Sequence, residues 1–555
     1  MPAGVEIDFD LPAAMRDGAV LFADVYRPHD GGVLPVLLAR TPYGKQALPA
    51  VLDPVGLARH GYIVVLQDVR GRNKSEGEWC PLAHEGPDGY DSVRWAARLP
   101  GSSGSVGLLG GSYLGNAQWM AAASCPPELK VLTPSVTWCD PHDGLWTRGG
   151  ATELGLGLYW SLLQGVDFLA REHADDPAQR TARISALVGD LDALAQRGYW
   201  ELPAVPSPVI ARHHVPDLGH ERVRTAPDTA KDTRVAGRHQ HIHLPSLHIG
   251  GWYDVFCQGV LDNYTAMAAA GRPARLVMGP WEHTTNYASS VGEVDCGTAA
   301  SGAFLDLKTS LAALRLDWLD RWLKPDTPRN DDGAPVKIFV MGANRWRDED
   351  SWPLARSVET PFYLHAGGGL SQHRPRPDEE TARYTYDPAD PVPTHGGAQL
   401  MASGYPAGPR DQRDIEARPD VLVYTSEPLA EDMEVTGRIT LLLHAATDAP
   451  STDWVARLCD VDTHGKSLNI TDGIIRTYGT PGTAAEHHID LWSTSTLVRA
   501  GHRLRVHITS SSFPRWDRNL NTGRDQATTM RTARQTVFHD AARPTRIMLP
   551  ITPTT

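Results

Sequence analysis

Cysteine is scarce in this sequence and its six copies are scattered: Cys80, Cys125, Cys139, Cys257, Cys296 and Cys459 among 555 residues, with no CxxC pair. That spacing argues against both a disulfide framework and a zinc site, and reads as reduced thiols in a cytoplasmic protein. Long apolar runs are missing as well. No stretch reaches the ~18 consecutive apolar residues of a membrane span. The opening "MPAGVEIDFDLPAAMRDG" has no basic segment followed by an apolar one, so no signal peptide is expected. Positive charge is in deficit: 53 Lys and Arg against 66 Asp and Glu leave a net charge of −13. This argues against nucleic acid or an anionic membrane as the main partner. No repeat recurs at a fixed period.

What is there reads as a soluble multidomain chain, too long for one core. The first part, 1–140, alternates short apolar runs with helical stretches. "PVLLA" (Pro35–Ala39), "YIVVLQD" (Tyr62–Asp68) and "SVGLLG" (Ser105–Gly110) read as buried strands, and "GYDSVRWAARL" (Gly89–Leu99) as a helix. Continuous apolar strands alternating with helices indicate an α/β fold, a parallel sheet covered on both faces. Residues 141–242 lose the strands and become helical, as in "RTARISALVGDLDALAQRG" (Arg180–Gly198). The α/β pattern returns in 243–352 with "LPSLHIGGWYD" (Leu244–Asp254), "ARLVMGPWEH" (Ala274–His283), the helix Leu311–Leu323 and the strand Val336–Gly342. From 353 to 555 short alternating runs such as "EVTGRITLLLHAA", "DWVARLCDVD" and "HRLRVHITSSS" indicate an all-β sandwich or jelly roll.

Chemistry concentrates at "GLLGGSYLGNAQWMAA" (Gly107–Ala122). Ser112 follows a buried strand and precedes a helix, the context of a nucleophile elbow. Gly110, Gly111 and Gly115 supply the small residues such a corner needs. The spacing departs from G-x-S-x-G, since Leu114 stands two residues after the serine; a structural glycine-rich turn stays open on this motif alone. A serine needs a base, and the base an orienting acid. Asp254 and His283 end consecutive strands, in the order Ser, Asp, His. Each alone could be a helix cap or a surface residue; together they fit a triad. The histidines of "RHQHIHLPSLHIGG", His239, His241, His243 and His248, could ligate a metal from one strand face, but the favoured reading is a solvated approach to the next strand. No metal or organic cofactor is required.

These residues resemble the family of serine hydrolases that contains cocaine esterase, the α-amino acid ester hydrolases and X-prolyl dipeptidyl peptidases. The likeness runs through "RTPYGK", "QDVRGRNKSEGEW", "GGSYLG", "GWYD", "GPWEH", "MGANRWRDEDSWP", "DQRDIEARPDVLVYTSEPL" and "SSSFPRWDRNLNTG", and is strongest to cocaine esterase-like members. It places the family's glycine at Gly115. The resemblance implies an α/β-hydrolase core, an inserted helical cap and a C-terminal jelly roll. It also implies Ser112 as nucleophile, His283 as general base and acid, and Asp254 as its orienting partner. The Tyr113 N–H and the Tyr43 hydroxyl would form the oxyanion hole. Trp146, Trp160 and Phe256 match positions lining the acyl pocket, with Leu400 and Met401 a weaker match. Between Lys45 and Gly56 no clear counterpart stands for a glutamine that these enzymes place near the ester.

The expected reaction is two-step acyl transfer from a small ester with a compact apolar or aromatic acyl group. Dipeptidyl peptidase and amino-ester activities would need carboxylates to bind an ammonium; Glu282 and Glu153 are the acids that could serve. A catalytically inactive binding module is the alternative of another class. The resemblance also allows for a homodimer.

Overall fold

The computed structural model describes residues 4–29, 31–324, 333–524 and 528–553. Ten strands build the central sheet: β1 (Val5–Ala14), β2 (Val20–Pro28), β3 (Leu34–Thr41), β4 (Ile63–Asp68), β5 (Ser102–Gly111), β6 (Leu129–Ser135), β7 (Ser246–Gly251), β8 (Ala274–Gly279), β9 (Val336–Val340) and β10 (Arg345–Glu349). Their spatial order is β1-β2-β4-β3-β5-β6-β7-β8-β9-β10. From β4 to β9 every pairing is parallel, with antiparallel additions at both edges. Every residue of β4 and β7 is buried, as a sheet covered on both faces requires.

The apolar runs predicted as strands all lie in β3, β4, β5, β7, β8 and β9. The helix expected from Gly89 begins at Glu85. Proline is tolerated in a first helical turn, so Pro87 does not stop it, and Glu85 and Asp88 there favour the helix dipole. Four strands were not anticipated: β2 and β6 within the sheet, and the edge elements β1 and β10. β1, "VEIDFDLPAA", is polar, half exposed and bulged between Asp8 and Leu11. β10, "RWRDE", is almost all charge, yet it turns back on β9 through Gly342 and Asn344, both at positive φ.

Between β6 and β7 the chain forms the helices Leu154–Glu172, Pro177–Asp192, Pro208–His213 and His220–Thr225. Asp176 caps the second, accepting the Ala178 and Gln179 N–H groups. Beyond Ser357 an eleven-stranded, largely antiparallel sheet holds its own core, including Leu441, Leu443, Trp454, Leu458, Leu491, Val506 and Ile508. Among the described residues no helix is long and apolar enough to cross a membrane.

Candidate active site

Ser112 sits at the corner between β5 and the helix Tyr113–Ala123, with φ 57° and ψ −123°. A non-glycine residue at positive φ is strained, and such strain is tolerated where the surroundings over-determine it. Here the Ser112 N–H donates to the Ser135 carbonyl at 2.9 Å, and Thr137 Oγ1 donates to the Ser112 carbonyl at 2.9 Å. Gly115 permits this closeness: a Cβ there would lie 2.8 Å from Thr137 Cβ. Gly110, at φ 122°, would bring a Cβ to 2.5 Å from Leu114 Cβ.

The loops after β7 and β8 deliver Asp254 and His283. His283 Nε2 lies 3.0 Å from Ser112 Oγ, and Nδ1 lies 2.7 Å from Asp254 Oδ2. Asp254 is fully buried, and its other oxygen accepts the Phe256 N–H at 2.6 Å. Burial opposes a charge on His283, but the adjoining Asp254 carboxylate outweighs it and raises the imidazole pKa above its ordinary value.

Tyr43 stands just beyond the end of β3. The residue is 37% exposed, yet its hydroxyl end turns inward beside Ser112 and accepts a hydrogen bond from Trp160 Nε1 at 3.2 Å. Burial raises its pKa, so the phenol keeps its proton. Tyr113 opens the helix, where a first-turn N–H has no intrahelical partner. Its side chain points elsewhere: the hydroxyl donates to Glu85 Oε1 at 2.7 Å, and the ring stacks on Trp160 with centroids 6.3 Å apart.

Ser112 and His283 open into a cavity of about 270 Å³. Of the predicted lining residues, Trp160, Phe256 and Leu400 border it together with Tyr43 and Tyr113. Trp146 does not. It is fully buried, its indole N–H donating to the Leu218 carbonyl at 3.0 Å, while its neighbour Leu145 takes the wall position. Met401 packs against Gly155 instead of the cavity. Leu156, Tyr159 and Leu163 were missed, although with Trp160 they form an i, i+3, i+4, i+7 stripe on the helix Leu154–Glu172. Trp138 was also missed, and its place beyond the end of β6 was the available signal.

No Asp or Glu borders the cavity among its described lining residues. Glu282 is occupied by the Thr284 N–H and hydroxyl. Glu153 is buried and is not among the cavity's lining residues, accepting the Trp516 indole N–H at 2.8 Å. The histidine stretch is not a solvated approach throughout: His239 and His248 are buried against Trp119, bonded to Asn263 and Ser246 respectively. Burial pushes His248 down to about 3, leaving it neutral. The described residues that could together hold a metal ion are Glu416, Cys459 and His507 in the β-rich part, where Arg505 already pairs with Glu416.

Residues 17–285 match the model of the X-Pro dipeptidyl-peptidase family S15, and 329–548 match the X-Pro dipeptidyl-peptidase C-terminal non-catalytic domain. Cocaine esterase from Rhodococcus sp. (strain MB1 Bresler) is 35% identical over 97% of both chains. The chain belongs to this hydrolase family. Among solved structures, an α-amino acid ester hydrolase is 25% identical with a TM-score of 0.79, covering 99% of this chain and 97% of that one. An aminopeptidase from the marine sediment archaeon Thaumarchaeota archaeon shares the fold at a TM-score of 0.80 and 24% identity, covering 100% of this chain and 97% of that one. This S15-family member is thus an enzyme, and its relatives carry both ester- and peptide-hydrolase names.

Proposed function

We propose that this S15-family enzyme hydrolyses carboxylic esters with compact apolar or aromatic acyl groups, through an acyl-enzyme on Ser112. The observation that carries the reading is a hydrogen-bonded chain, Ser112–His283–Asp254, at the mouth of an uncharged, aromatic-walled cavity. His283 Nε2 takes the Ser112 proton as Oγ attacks the carbonyl carbon, then gives that proton to the departing alcohol. Water repeats the sequence in reverse roles and releases the acid. The Tyr113 N–H and Tyr43 hydroxyl receive the oxyanion. In this reading 1–140 and 243–352 form an α/β-hydrolase core, 141–242 a helical cap, and 353–555 a jelly roll.

An amino-ester or X-Pro substrate brings an ammonium, which a wall without carboxylates would leave unpaired. Support for the ester reading also comes from the esterase names among relatives. The test is turnover of p-nitrophenyl acetate, butyrate and benzoate beside Ala-Pro and Gly-Pro anilides, with Ser112→Ala as control. Ester turnover lost in the mutant, with inert anilides, is the expected result. Anilide turnover exceeding ester turnover would replace it with a peptidase reading.

A further inference from the structure

Beyond the end of β3 at Thr41, Tyr43 leaves the strand ladder, and its own N–H is held only locally, donating to Thr41 Oγ1 at 3.0 Å. Its hydroxyl nevertheless has to wait within hydrogen-bond reach of an oxygen that becomes charged only during reaction, and a misplacement of about 1 Å can cost 10²-fold in rate. Pro42, immediately before it, has no N–H, so at that point the loop can be fastened only through its carbonyl. That carbonyl accepts a hydrogen bond from Arg72 Nε at 2.8 Å.

The other arm of the same guanidinium reaches across to the helix Leu154–Glu172. Nη1 donates to the Gln164 carbonyl at 2.9 Å, and Nη2 to Gln164 Oε1 at 2.9 Å. Asp167 of that helix lies 3.4 Å from Nε, and the guanidinium covers the Trp79 ring at 4.9 Å from its centroid. Arg72 is 3% exposed. One turn before Gln164 on this helix stands Trp160, whose indole N–H meets the Tyr43 hydroxyl. The loop and the helix are therefore joined twice, directly through Tyr43 and Trp160, and through the buried Arg72 that bridges the Pro42 carbonyl to Gln164 one turn away.

We propose that Arg72 is a positioning residue for the Tyr43 hydroxyl, clamping the Pro42 carbonyl to Gln164 and so setting the Tyr43–Trp160 pair beside Ser112. The proposal rests on the oxyanion role given to Tyr43 above. A planar fork is what the geometry uses: one side binds the loop, the other binds main chain and side chain of a single helical residue. Lysine carries the charge but cannot span both.

A merely structural anchor of the helix would loosen the cavity wall and raise KM, with or without the Tyr43 hydroxyl. A positioning residue acts on kcat and only while that hydroxyl is present. The experiment is a double-mutant cycle with p-nitrophenyl butyrate: Arg72→Lys, Tyr43→Phe and the pair, with Gln164→Met run through the same cycle so that the answer does not hinge on Arg72→Lys folding. We expect Arg72→Lys to lower kcat about 10–100-fold with KM within about threefold, and Gln164→Met to lower it less. In the Tyr43→Phe background both effects should shrink below about twofold. Equal losses in both backgrounds, or a loss carried mainly by KM, would overturn the positioning role while leaving Tyr43 in place. If Tyr43→Phe alone cost less than about threefold, the oxyanion role itself would fall, and the positioning role with it.

Discussion

At the scale of single residues, the proposed mechanism makes His283 the group that sets the response to pH. Only the neutral imidazole can accept the Ser112 proton. Burial would make it lose its proton early, but the carboxylate of Asp254 more than reverses this. A raised pKa means the ring stays protonated, and inactive, to a higher pH. On this reading kcat/KM should therefore fall on the acid side through a limb above the ordinary histidine value of about 6.5. Asp254→Asn should shift that limb downward and cost roughly 10³–10⁴-fold in kcat. A pH profile of p-nitrophenyl ester hydrolysis by both proteins checks the sign. Tyr43→Phe should lower kcat by roughly 10²–10³-fold with the fold intact, as loss of one oxyanion donor does.

At the scale of elements, the β5-to-helix corner and the helix Leu154–Glu172 carry distinct burdens. A methyl group at Gly115 would press on Thr137 at 2.8 Å, and Thr137 holds the Ser112 carbonyl. Gly115→Ala should thus cost about 1–3 kcal/mol of stability by overpacking and lower kcat as well. Thermal melts read beside single-point kinetics would reveal a corner that tolerates the methyl, if both stayed at native values. The helix stripe of Leu156, Tyr159, Trp160 and Leu163 lines the cavity, the acyl wall in the proposed reading. Leu156→Ala should raise KM for p-nitrophenyl benzoate by about tenfold, and for the acetate much less, because only the larger acyl group reaches the lost side chain.

At the scale of the whole molecule, the β-rich part holds the helix that forms this wall. Glu153 stands at the helix N-terminus, with Trp516 Nε1 on it and Arg515 Nε 3.9 Å away. Arg515 also binds Asp472 at 2.8 Å, and its carbonyl receives the Gly155 N–H at 3.1 Å. Arg148 stacks on Trp492 at 3.6 Å and donates to the Asp472 and Asp490 carbonyls. Removing one charge from such a buried set strands its partners. Arg515→Met should destabilise by about 3–5 kcal/mol, seen as a lower temperature of thermal inactivation, with the helix Leu154–Glu172 losing protection from hydrogen exchange. An unchanged inactivation temperature would mean that the two parts are joined by other contacts.

Periodicity and strand-end position were enough to reach Ser112, Asp254 and His283, because a parallel sheet brings the carboxyl ends of its strands to one edge whatever lies between them in sequence; Tyr43 entered only through the family resemblance. The same logic was available for Trp138 and for the stripe on Leu154–Glu172. It could not expose β10, whose charged residues have no strand propensity and pair only because β9 offers an open edge. Nor could it place Trp146, since an aromatic in a helical segment can face a cavity or the core behind it, and here its indole N–H is drawn inward to the Leu218 carbonyl. Arg72 lay in plain view within "QDVRGRNKSEGEW" without a role. Its three hydrogen-bond acceptors belong to a loop residue 30 positions earlier and a helix residue 92 positions later. Hydrogen-bond partners at such separations leave no periodic trace in a chain, so what the sequence determined was the chemistry at the strand ends, and what only the tertiary structure decided was which buried groups hold that chemistry in place.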